Sequence, residues 1–85
     1  MTAEDQLQNT VVSALQVRGG ALVLPEPVAK TIAEEINASP GKQLYAVALI
    51  ALAKRLQAMP GSRPATQSVT LLAALALGDA TATAR

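Results

Sequence analysis

The side chains able to do chemistry in this chain are few, and they do not converge. Ser and Thr hydroxyls are present, but there is no His to activate them and no Cys to act as a nucleophile or metal ligand. A Ser-Lys arrangement is the one nucleophilic pairing left open. Three of the six acids, Glu26, Glu34 and Glu35, fall in one short stretch. On a helix the neighbours Glu34 and Glu35 point about 100° apart, so they do not form an acid/base pair. No Gly-rich phosphate loop of either standard spacing occurs. The expectation is therefore a protein that binds and is not an enzyme, with no cofactor and no metal.

The segment with the most binding chemistry is Met59-Pro60-Gly61-Ser62-Arg63. It joins two apolar stretches and opens a helix, whose first N–H groups favour an anion. Ser62 and Thr66 add hydroxyls there, and Arg63 adds a planar fork suited to phosphate oxygens. Lys54 and Arg55 are close enough in sequence to sit near the same corner, or near its copy in another subunit. The alternative at this point is structural: a capped helix start with an exposed Arg.

Charge sharpens that picture. Residues 1–35 hold Glu4, Asp5, Glu26, Glu34 and Glu35 against Arg18 and Lys30, a net −3. Residues 36–78 hold Lys42, Lys54, Arg55 and Arg63 and no acid, a net +4. Such a basic stretch is either a solvated face that pairs with the acidic part or a focused anion site. Four bases and one aromatic, Tyr45, are a poor platform for nucleic acid. A helix-turn-helix drawn around Ser39-Pro40-Gly41 would put Leu, Tyr, Val and Ile where base-reading residues belong.

Four helices must position these groups, so the fold expected is all-α. Thr2 caps a first helix with Glu4 and Asp5 in its first turn, and Leu7, Val11, Ala14, Leu15 and Arg18 follow at helical spacing. The cap and the Gly19-Gly20 stop favour a helix over residues 3–18. A rival reading makes the β-branched residues from Val11 to Val17 and Ala21 to Leu24 a short hairpin closed by Gly-Gly. A second helix is predicted over 26–38, with Val28, Ile32 and Ile36 on one stripe and Lys30 paired to Glu34. Ser39 and Pro40 open a third, running to about Met59, along which Tyr45, Leu49, Leu52, Leu56 and Met59 form a coiled-coil-like seam. Ser62 caps a fourth, with Pro64 in its first turn and an all-round apolar run from Leu71 to Leu77. The organisation is one domain over 1–85: N-terminal helices over 1–38, a C-terminal helical hairpin over 39–80 and a tail over 81–85.

A chain of 85 residues without Cys has no disulfide to stabilise it, which leaves oligomerisation. Val47 and Ile50 lie outside the seam, so the third helix needs cover on more than one side. We expect a homo-oligomer with Tyr45, Leu49, Leu52, Leu56, Leu72 and Leu75 buried. The apolar runs are well short of the ~20 residues that cross a bilayer. The acidic, polar N-terminus is unlike a secretory signal. A cytoplasmic protein is expected, with no membrane partner.

The run Met-Pro-Gly-Ser-Arg, the helix with Thr70 and Leu72, and the closing Ala82 and Ala84-Arg85 resemble the helical hairpin of the phage Acb2/Tad1 type. The likeness covers about residues 59–85, with Leu44 to Ala58 as a first arm. It implies an oligomeric anti-defence sponge that sequesters cyclic nucleotides, with Ser62 and Arg63 touching phosphates. Leu71 to Asp79 is also similar to the dimerising helix of the ZapA cell-division family. Apart from these likenesses, the apolar helices suit a module or inhibitor that lays one face on a host protein, or an assembly protein.

Overall fold

A computed structural model describes residues 2–40 and 42–78. The elements are α1 (Ala3–Ala14), β1 (Gln16–Arg18), β2 (Ala21–Val23), α2 (Glu26–Ala38), α3 (Lys42–Gln57) and α4 (Arg63–Ala76). The described residues are mostly helical, with four helices and one small two-stranded sheet. The tail expected over 81–85 lies outside the described residues, as do the Ala82 and Ala84-Arg85 of the hairpin resemblance.

α1 starts as its sequence predicts: Thr2 Oγ1 accepts a hydrogen bond from the Asp5 N–H at 3.1 Å. It does not continue to residue 18. It stops at Ala14, and residues 16–23 form the hairpin that was the rival reading. Gly19 and Gly20 have φ of 59° and 81°, the paired left-handed geometry of a tight two-residue hairpin turn. The register pairs Arg18 with Ala21, Val17 with Leu22 and Gln16 with Val23. The Gly-Gly pair thus reverses the chain where a helix stop was expected; of the β-branched residues before it, Val17 lies in the strand, and Val11 and Val12 stay in α1. Arg18, expected on the helix stripe, instead donates from its guanidinium to Gln16 Oε1 at 2.7 and 3.0 Å.

α2 spans the residues predicted for it. Pro25 stands at its N-cap, Pro27 lies in its first turn, and Ile32 and Ile36 are buried. Lys30 and Glu34 are both exposed and form no ion pair among the described residues. Ser39 does not open α3. It closes α2, its N–H donating to the Ile36 carbonyl at 3.1 Å, and α3 begins only at Lys42.

α3 and α4 form an antiparallel hairpin that is the main packing unit of the protein. α1 lies on α3, while α2 and β2 lie mainly on α4. The molecule measures 36 × 35 × 22 Å, and its short axis is about two helix diameters. One layer is the α3–α4 hairpin, and the other is α1, the β-hairpin and α2. Between them sit Val11, Ile32, Ile36, Leu49, Leu52, Leu56, Val69 and Leu72, all buried. Tyr45 and Leu75, expected in the core, are only half-buried at its edge. Met59 leaves the expected seam altogether, because α3 ends at Gln57 and the turn carries Met59 into solvent at 50% exposure. Among the described residues no helix is long and apolar enough to cross a membrane.

The layers meet most tightly where the two turns touch. Gly61 has φ 72°, and its carbonyl accepts the Leu22 N–H at 2.7 Å. A Cβ on Gly61 would lie 2.7 Å from the Gly20 carbonyl oxygen, a backbone atom that cannot swing aside. Gly61→Ala adds that overlap to the cost of a left-handed alanine, and should destabilise the fold by about 1–3 kcal/mol. Urea unfolding followed by circular dichroism measures it; an unchanged midpoint would mean that the two turns are not held together.

Candidate binding surface

The buried positions of α3 are Ala46, Ala48, Leu49, Leu52, Ala53 and Leu56. Helical spacing places Leu44, Val47, Ala51, Lys54 and Ala58 on the opposite side, with Ile50 and Arg55 flanking them. The apolar members of that face are well exposed: Leu44 60%, Val47 69% and Ile50 39%. On α4, where Val69, Leu72 and Ala76 face the core, Leu71 is exposed at 70%, and Leu77, the C-cap, is exposed at 56% on a different side of the helix axis. Among the described residues, α1, α2 and the strands cover one side of the hairpin, and none packs on the outward side of α3. Its bare side is apolar over residues 44–51 and changes to cations at Lys54 and Arg55, both exposed.

At the turn end of the hairpin a concavity of about 720 Å³ opens to solvent. Met59 and Leu71 give it apolar walls, Gln57 and Gln67 carboxamides, and Arg63 its one charge. Arg63 is exposed and has no hydrogen-bond or ion-pair partner among the described residues.

The residues expected to hold an anion are only partly brought together here. Arg63, Ser62 and Thr66 all border the concavity; Lys54 and Arg55 do not. Ser62 stands at the N-cap of α4 but makes no side-chain cap bond. Its hydroxyl points back into α3, toward the carbonyls of Leu56 and of Met59, the latter at 2.7 Å. The Leu56 carbonyl, in the last turn of α3, also accepts the Met59 N–H at 2.9 Å, and the Met59 carbonyl lies in the turn just beyond the helix. Ser62 therefore closes α3 instead of opening α4, and at 3% exposure it is the buried polar residue of the core. The Thr66 N–H donates to the Ser62 carbonyl at 2.8 Å, while Thr66 Oγ1 is sealed from solvent without a partner. The other α4 hydroxyls, Ser68 and Thr70, donate to the carbonyls four residues back.

Sequence reasoning did not pick out Gln57, Gln67, Met59 or Leu71 as concavity residues. Met59 fitted the α3 seam, and Leu71 was one of a continuous apolar run. The signal available was the turn itself: once Pro60-Gly61 ends α3, side chains just before and one to two turns after it must share one rim.

No family model matches the chain, and no curated protein and no solved structure matches it either.

Two substitutions separate fold from ligand chemistry at this corner. Ser62→Ala takes the hydroxyl from the Met59 carbonyl, while the Leu56 carbonyl keeps the Met59 N–H at 2.9 Å, and should cost about 1–3 kcal/mol of stability. Thr66→Val removes an unpartnered buried hydroxyl at nearly constant shape, and should leave stability unchanged or raise it by up to about 1 kcal/mol. Thermal melts of the two variants test the assignment; a Thr66→Val loss as large as that of Ser62→Ala would show that the Thr66 hydroxyl is paired.

Proposed function

We propose that this chain is a non-enzymatic binding protein of the cytoplasm that engages a helical partner through the bare side of its α3–α4 hairpin. The observation that carries this reading is the exposure of Leu44, Val47 and Ile50 along the outward side of α3, whose opposite side is packed into the core. Apolar side chains grouped on one surface mark an interaction site in a small protein, whereas single scattered ones need no account. A second copy of the chain, in a homo-oligomer, is one candidate for the cover, and a host protein is another.

Arg63 in its concavity favours a second reading. An anion with an apolar or planar body, such as a cyclic nucleotide, would set its phosphate on Arg63 and its body against Met59 and Leu71. The inward-turned hydroxyl of Ser62 and the absence of Lys54 and Arg55 from the rim leave this site one cation, which is why it stands second.

The first reading expects a synthetic amphipathic helix with an apolar stripe at i, i+3, i+4 and i+7 to bind the chain, and Val47→Glu to abolish binding while circular dichroism stays unchanged. Fluorescence anisotropy measures this, and no binding of any such peptide would end it. The second expects calorimetric heat from at least one cyclic di- or trinucleotide, lost on Arg63→Ala. A silent panel would end that one.

A further inference from the structure

We infer that the partner of this surface is an amphipathic helix of another protein, with carboxylates clustered at one end, rather than a second copy of this chain. The inference rests on the first reading above and adds the chemistry of the partner. Along α3 the outward line runs Leu44, Val47, Ala51, then Lys54, with Ile50 and Arg55 beside it. Apolar contact is therefore offered over the first three turns and positive charge over the last. Arg63 adds a third cation just across the turn, at the same end of the hairpin. All three are exposed, and none has a hydrogen-bond or ion-pair partner among the described residues. The sequence from residue 36 to residue 78 contains no Asp or Glu that could pair with them.

A second copy does not complement this pattern. Laid face to face, it brings only apolar groups and more cations. The acids of the described residues are Glu4, Asp5, Glu26, Glu34 and Glu35, and all lie on α1 or α2, in the other layer. That layer's large exposed apolar residues are Val12 on α1 and Val17 on β1, and α2, with three of the acids, has none. So among the described residues no surface joins an apolar helical stripe to a cluster of carboxylates. A partner helix with both would bury its stripe on Leu44, Val47 and Ile50 and set its acids against Lys54, Arg55 and Arg63. The charges would fix its direction along α3 and the apolar stripe its depth.

The test uses the full chain and two synthetic helical peptides with the same leucine stripe. One carries Glu at one end, and the other carries Lys at the same positions. Anisotropy at low salt should show the Glu peptide binding at least about tenfold more tightly than the Lys peptide, the scale expected for two or three exposed charge pairs. Added salt should narrow the gap. Lys54→Glu with Arg55→Glu should reverse the preference, and Val47→Glu should remove both peptides. Equal affinity for the two peptides would overturn the acidic partner and leave the first reading standing. Failure of both to bind would overturn both. Sedimentation equilibrium showing a dimer that Val47→Glu dissociates would also overturn the inference, because a second copy would then be the cover.

Discussion

α3 and α4 bury alanines along with branched side chains, and the rest of the structure builds on the hairpin they form. Ala46, Ala53, Ala65, Ala73 and Ala76 are all buried between or beneath these helices. Alanines there let the helix axes approach closely, and branched residues such as Leu49, Leu52 and Val69 fill the space that remains. A hairpin built this way needs a tight turn, and Ser62 supplies it by holding the carbonyls at the end of α3. It is also thin. Two helices have two sides, and the N-terminal layer is long enough to cover one of them.

Much of this was legible in the sequence. Pro25 and Pro27, Pro60-Gly61 and Pro64 mark α2, the α3–α4 turn and the start of α4 by restricting the backbone directly, and those boundaries hold. The excess of apolar surface on the third and fourth helices was legible too, through Val47, Ile50 and Leu71, because it is a matter of periodicity. The region between residues 11 and 24 was not. A Thr cap and helical spacing argue for one structure and a β-branched run with Gly-Gly for another. Local signals do not weigh the hydrogen bond from Leu22 to Gly61, nearly forty residues away, that gives the strand pair its place.

The candidate site was the least legible part. Ser62 and Arg63 were singled out for their chemical types, and only one of them points outward. A serine at a helix start has two neighbours to serve, the helix it begins and the helix just ended. The choice depends on how close the two lie. Here they lie close, so the hydroxyl goes inward and the cation is left alone at the rim. Lys54 and Arg55 were grouped with Arg63 by their nearness in sequence, but they belong to the open face of α3 and not to the concavity. What looked like one anion site is divided between Arg63 at the concavity and Lys54 and Arg55 on the open face of α3.

The contact between Gly61 and the β-hairpin gives the concavity a back wall. Gly61 lines the concavity on one side, and on the other its carbonyl receives the Leu22 amide. The strands lie in the opposite layer from the apolar face, yet one backbone hydrogen bond joins them to the turn that shapes the concavity. A molecule that shifts the turn must lengthen or shorten that bond, so the Leu22 amide is a natural reporter of events on the far side of the protein.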